Sequence, residues 1–284
     1  MNPGATFISP KSLLVFALLL LAGSAAAREG PLVDRGGAVI HREFLPHNKE
    51  VNKKVELLWT KPTGNGPYPA VLFIHGHQER IRNGGEAFVT VGRLGVMASR
   101  GYVAAAISQP GYGNSDGPPD YCGPSTQDAV LSALGFLRTM PFVKSDKVAL
   151  YGYSRGAIVA AMVATRDTRL AAVVLGAGLY DFDKGYPTGL SGLDENIRME
   201  AGTTPKAFRD RSAIYHADKI RAAVLLLHGA QDDRFRLGQV EAFAEKLRAT
   251  GVPVMLKIFP NAGHSMPMDE QYREIYPFLG QFLH

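Results

Sequence analysis

The chain is poor in the residues that lock small extracellular folds together. It holds a single cysteine, Cys122, so no disulfide can form within it and no thiolate cluster can bind zinc. No heptad run, collagen-like glycine period or internal repeat is present, which excludes coiled-coil, triple-helical and solenoid architectures. The basic residues do not gather into a tract. Lys+Arg is 31 and Asp+Glu is 26, and the resulting formal charge of +5 is spread along the chain. A nucleic-acid partner would call for a basic stripe and a recognition motif, so none is expected. Charged residues make up 20% and hydrophobic residues 46%, a balance that excludes a disordered polyelectrolyte. No N-x-Ser/Thr sequon occurs, which fits bacterial export.

The first residues read as a targeting segment. Lys11 precedes an apolar run from Leu13 to Ala22, and Gly23-Ser24-Ala25-Ala26-Ala27 follows. Charge, apolar core and small residues in that order describe a cleavable signal peptide over residues 1–27, with cleavage expected after Ala27. The run is about half of the ~20 residues that span a bilayer. No membrane span is therefore expected after cleavage. No cysteine follows the run, so a lipid-modified N-terminus is not available. The mature protein is expected to be secreted or periplasmic, starting at Arg28.

Beyond the leader, strand and helix patterns alternate. Strands are expected at 38–45, 55–59, 70–74, 102–107, 148–152, 170–175, 222–227 and 254–259. Helices are expected at 88–100, 125–139, 155–165, 239–249 and 270–282. Most of these strands are apolar along their whole length, as strands covered on both faces are. The alternation predicts one α/β domain over residues 28–284, with a mostly parallel sheet and helices on both faces. The stretch 180–220 breaks the rhythm. It is long, polar and rich in glycine and charge, and is expected to form a short cap over the carboxyl ends of the strands.

Chemistry concentrates at Gly152-Tyr153-Ser154-Arg155-Gly156. The run fits G-x-S-x-G, with a strand before it and a helix after it. The glycines permit a tight strand-to-helix turn that lifts the serine hydroxyl above the sheet. Ser154 is the expected nucleophile. Its base must be an imidazole that follows it in the chain. His216, His228, His264 and His284 qualify by order. His284 ends the chain and His228 lies in a strand. His264 sits in the loop Pro260-Asn261-Ala262-Gly263-His264-Ser265 directly after a strand and is the expected base. The acid should come from the loop after the preceding strand, where Asp232 and Asp233 are adjacent and spacing does not choose between them. Two backbone N–H groups should receive the oxyanion: that of Arg155, at the start of the helix, and that of His77, in the loop His75-Gly76-His77-Gln78, with Gln78 as the alternative donor. His75 and His77 have no third ligand nearby, so no metal is expected. No cofactor is expected either. Arg155 points to one of two roles: binding a substrate carboxylate, or pairing with a neighbouring loop. Cys122 lacks an assigned base and is read as structural.

Taken together, these residues resemble the α/β-hydrolases. The likeness is greatest to the catalytic domain of the prolyl oligopeptidase family, with dienelactone hydrolases as near relatives. The resemblance runs from Pro69 to His284. It rests on His75-Gly76, Pro110-Gly111-Tyr112-Gly113-Asn114-Ser115, the serine elbow, Arg211-Ser212-Ala213, His228-Gly229, Asp232-Asp233-Arg234 and Gly263-His264. It implies an α/β-hydrolase fold and Asp232 as the acid. It also implies Arg234 as a binder of substrate carbonyl, and Tyr153 is assigned with it to substrate contact. The chain departs from the family pattern in placing Arg155-Gly156-Ala157 after the serine, where a small or aromatic residue and two glycines are usual. Residues 28–68 are also too few for the large N-terminal propeller that family peptidases often carry. The expected activity is serine hydrolysis of a small ester or a short-peptide amide through an acyl-enzyme. Acyl transfer from the same intermediate, or binding without catalysis on this scaffold, are the alternatives. The sequence carries no signal for oligomeric state.

Overall fold

The computed structural model describes Met1 and residues 32–284; the expected leader lies outside the described residues. Nine strands form one sheet in the order β1-β2-β3-β5-β4-β6-β7-β8-β9. These are β1 (Leu32–Val33), β2 (Val39–Pro46), β3 (Lys54–Thr60), β4 (Tyr68–Ile74), β5 (Val103–Ile107), β6 (Val143–Tyr153), β7 (Ala172–Gly176), β8 (Ala223–Gly229) and β9 (Val254–Phe259). The first three run antiparallel to their neighbours, and β5, β4, β6, β7, β8 and β9 pair in parallel. Every residue of β5, β7 and β8 is buried, as the unbroken apolar runs require when helices cover both faces.

The parallel register decides where the loops emerge. Ile74 of β4 pairs with Gly152 of β6, Gly152 with Leu175 of β7, Leu175 with Leu226 of β8, and Gly229 of β8 with Phe259 of β9. The carboxyl ends of β4, β6, β8 and β9 therefore share one edge. The loops that carry His77, Ser154, Asp232 and His264 all leave from it. Ligand sites of open parallel sheets lie at this edge.

Helices cover the two faces. On one side lie α3 (Pro124–Thr139), α4 (Arg155–Ala164) and α8 (Leu237–Arg248), which share a core cluster with alternate sheet residues such as Leu72, Leu150 and Leu226. On the other lie α2 (Arg93–Ser99) and α9 (Met268–Leu283), against Phe73, Tyr151 and Leu225. All ten residues of α4 are buried, and its alanines let the elbow helix pack close to the sheet. Truncating Ile158, which is fully buried there, would cost about 2–5 kcal/mol.

Two features differ from the sequence reading, and the segment 180–220 gains detail. The helix expected at 88–100 is two helices, α1 (Glu86–Thr90) and α2, because Gly92 turns left-handed at φ 72° between them. The two-residue strand β1 is too short to show a period in sequence. Within 180–220 lie α5 (Phe182–Gly185), α6 (Ser191–Glu200), α7 (Pro205–Arg209) and a 3-10 helix (Ala213–Lys219). Tyr180, Phe182, Ala213, Ala217 and Ile220 at the ends of this segment are buried in the core, whereas Ile197 is the only fully buried residue of α6. Among the described residues no helix is long and apolar enough to cross a membrane.

Candidate active site

Ser154 closes the turn between β6 and α4 with φ 55° and ψ −122°. An L-residue adopts such a backbone at a cost of about 1–3 kcal/mol. The flanking glycines allow it. A Cβ on Gly152 would stand 2.2 Å from the carbonyl oxygen of Gly156, and a Cβ on Gly156 would stand 2.2 Å from that of Ile74. The serine N–H donates to the carbonyl of Gly176 at 2.7 Å, which ties the elbow to β7.

The three residues expected to cooperate lie in one hydrogen-bonded line. Ser154 Oγ is 2.8 Å from His264 Nε2, and His264 Nδ1 is 2.9 Å from Asp232 Oδ2. Asp232 is 7% exposed and its other oxygen accepts the N–H groups of Arg234 at 2.9 Å and Phe235 at 3.0 Å. Burial works against its charge, but the hydrogen bond from His264 and those backbone donors prevail and hold its pKa below the ordinary carboxylate value. Asp233 is exposed. His228 lies behind the acid, fully buried, with Nε2 donating to the Phe235 carbonyl at 2.7 Å and standing 3.7 Å from Asp232 Oδ2. Burial lowers its pKa, so it is held neutral.

The expected oxyanion donors border the same space. Arg155 is the first residue of α4, where a helix leaves its N–H groups without intrahelical partners. Gly76 lies close to the elbow, its Cβ position 3.1 Å from the Tyr153 carbonyl oxygen and 3.5 Å from Ser154 Cβ. That approach sets His77 beside the serine. His75, 2% exposed, braces the loop. It donates from Nδ1 to the Gly76 carbonyl at 2.8 Å and accepts the Gln109 N–H at Nε2 at 3.1 Å. Burial pushes its pKa down to about 4, so the imidazole is neutral. Gln78, the alternative donor, uses its side chain to clasp Gly84 at 2.8 and 3.0 Å.

A cavity of about 310 Å³ opens over Ser154, lined by Leu190, Leu193 and Asn196 of the α6 segment and by His77, Arg234 and Phe235. A larger cavity of about 810 Å³, between the Gly36–Val39 turn and α2, contains none of these groups and no nucleophile–base pair. The chemistry places the site at the smaller one.

One residue stands differently from the sequence reading, and a second takes one of the two roles left open for it. Tyr153, assigned to substrate contact, turns its phenol toward the His264 loop instead. Its hydroxyl donates to the His264 carbonyl and accepts the Met266 N–H at 3.1 Å. The reason is local backbone: Tyr153 is the last residue of β6 and still pairs with Gly176, whereas Ser154 has left the strand at φ 55°, so the residue beside the nucleophile is not set to face the cavity with it. Of the two roles open to Arg155, the structure shows the ion pair. Its guanidinium meets the Glu200 carboxylate at the end of α6. Nothing local in the sequence marks Glu200, which is 45 positions away. Arg234 is exposed and lines the cavity. Cys122 is buried beneath the site and its thiol donates to the Arg155 carbonyl at 3.3 Å. Burial drives its pKa up to about 12, so it is no thiolate.

The sheet order and the serine elbow are those of the α/β-hydrolases, and solved structures agree on the fold. An acylaminoacyl peptidase of Pyrococcus horikoshii superposes with a TM-score of 0.72 at 20% identity, over 87% of this chain and 42% of that one. A puromycin-hydrolyzing peptidase of Mycobacterium tuberculosis gives 0.75 at 21%, over 87% and 39%. A family model described as the prolyl oligopeptidase family matches residues 89–284. The chain belongs to that family and is a hydrolase of the serine peptidase type. Among curated relatives, the uncharacterized peptidase YtmA of Bacillus subtilis is 28% identical, over 78% of this chain and 85% of its own. Dipeptidyl-peptidase 5 of Porphyromonas gingivalis is 26% identical, over 81% of this chain but 33% of its own length.

Proposed function

We propose that the protein is an exported serine hydrolase that cleaves small esters or short-peptide amides through an acyl-enzyme on Ser154. The observation that carries this is the unbroken line Ser154–His264–Asp232, opening on a cavity of about 310 Å³. His264 Nε2 takes the Ser154 proton as Oγ attacks the acyl carbonyl. Asp232 keeps the imidazole in the tautomer that can accept at Nε2, and stabilises the imidazolium that forms. The N–H groups of Arg155 and His77 receive the oxyanion, aided by the positive end of α4. His264 then protonates the leaving alcohol or amine, and water enters by the same route in reverse.

The family supplies the peptide side of the reading and the cavity supplies the limit on size. A cavity of this volume is at the small end of ligand pockets, and the α6 segment roofs it. The leader pattern at 1–27 supports export and a secreted or periplasmic location.

The test is kcat/KM for an ester and an anilide of one acyl group, on the chain from Arg28, with Ser154→Ala as blank. Turnover lost by at least about a thousandfold in Ser154→Ala supports the reading. A strong ester bias assigns an esterase, and comparable rates assign a peptidase. Retention of turnover in Ser154→Ala overturns the mechanism. Product captured by an added alcohol or amine acceptor in place of water would assign acyl transfer.

A further inference from the structure

The residue after the serine carries a full charge into the interior. Arg155 is 2% exposed. Its guanidinium lies 4.6 Å from the ring centroid of Tyr121 and 5.5 Å from that of Tyr112. It donates to the Tyr112 hydroxyl at 3.2 Å and to the Glu200 carboxylate, and its Nε finds no acceptor among the described residues. Such a cation, stripped of water, has a strong claim on any carboxylate within reach. Arg155 also lines the cavity together with Ser154.

The anion comes from the roof. Leu193, Ile197 and Glu200 follow at helical spacing on α6, so one face of the helix looks toward the site. Leu193 lines the cavity, Ile197 is buried, and Glu200, with a side chain 13% exposed, reaches Arg155. The scaffold thus contributes the guanidinium and the segment over the site contributes its partner. With both in place the pair is neutral. A substrate carboxylate entering the cavity would lose its water without gaining the buried cation. Arg234 faces the cavity too, but it is exposed, where a charge pair is worth little.

We infer that Glu200 is a specificity-determining residue, an internal carboxylate occupying the guanidinium site beside Ser154 and thereby selecting neutral over anionic acyl groups. This rests on the hydrolase reading above and names its substrate class. Glutamine at 200 keeps the shape and an oxygen to accept from the guanidinium, while leaving an uncompensated cation next to the acyl pocket.

The experiment compares the para-nitrophenyl esters of hexanoic acid and of adipic acid, which carry the same chain length and leaving group and differ by one terminal carboxylate. In the wild type the adipate ester should be the poorer substrate. Glu200→Gln should raise the adipate-to-hexanoate ratio of kcat/KM by about tenfold or more, the worth of one charged hydrogen bond. Adding Arg155→Met should abolish that gain. A loosened roof alone would move both esters together, and a serine-reactive phosphonate counts the competent sites in each variant. Glu200→Ala is the second variant, with the same expected direction. An unchanged ratio, with Ser154-dependent turnover of hexanoate intact, overturns this inference and leaves the hydrolase reading standing. Absence of turnover of both esters fails the ester side of the hydrolase reading instead. Calorimetry with free adipate then decides the inference: binding to Glu200→Gln and not to the wild type supports it, and equal affinity overturns it.

Discussion

Tyr153 holds the loop of the base it stands beside: its phenol donates to the backbone carbonyl of His264 and takes the N–H of Met266 at 3.1 Å. The residue before the serine therefore fixes the segment that brings the imidazole to Oγ. Tyr153→Phe removes both bonds and keeps the ring. Folding stability should fall by about 1–2 kcal/mol. Loss of orientation at His264 should lower kcat by about tenfold or more, with KM changed much less, because the phenol is turned away from the cavity. A change confined to KM would mean that Tyr153 touches substrate after all.

Asp232 and Asp233 are neighbours in sequence and opposites in environment. Asp232 is buried and bonded to His264 Nδ1, whereas Asp233 is exposed. Asp232→Asn should cost about ten thousandfold in kcat, since an amide can favour the wrong imidazole tautomer. Asp233→Asn should leave kcat/KM within about twofold, the usual behaviour of an exposed position. Equal losses in the two variants would contradict the geometry.

The elbow stores strain at the nucleophile, at φ 55° and ψ −122°. Alanine at 154 inherits that strain and glycine does not. Both lack the hydroxyl, so their difference isolates the backbone. Relief of about 1–3 kcal/mol outweighs the extra chain entropy of glycine, about 0.5–1 kcal/mol. Ser154→Gly should therefore melt above Ser154→Ala by a few degrees. Equal melting temperatures would mean that the elbow is relaxed.

Much of this architecture is legible from residue order. Apolar runs such as Val103–Ile107 and Ala223–Gly229 announce buried strands, and Gly152, Gly156 and Gly263 mark the turns that deliver Ser154 and His264. Asp232 needed either the family resemblance or the structure, because burial separates it from Asp233 and spacing does not. What stayed hidden depends on three-dimensional direction. The phenol of Tyr153 acts across 111 positions, and Glu200 meets Arg155 across 45. No local period encodes either contact. The break at Gly92 is of another kind: one left-handed residue overrides an otherwise continuous helical pattern.

His75 couples the oxyanion loop to pH. Its pKa falls from 6.5 to about 4 in the fold, first because burial disfavours the imidazolium, and further because Arg155 is near, against an opposing bond to the Gly76 carbonyl. The folded value lies below the unfolded one, so between pH 6.5 and 4 the unfolded chain binds a proton that the native protein refuses. Stability is complete above that window and declines as pH falls through it, by about 3 kcal/mol in all for this group. His228, also lowered by burial, acts with the same sign. The lowered carboxyls of Asp232 and Asp167 withdraw their stabilisation at still lower pH. Melting temperature should therefore drop steadily as pH falls from 6.5 to 4. His75→Gln, which cannot titrate but keeps an acceptor for the Gln109 N–H, should flatten the slope while leaving the smaller share from His228. A slope identical in wild type and His75→Gln would mean that the buried imidazole is not the group that senses acid.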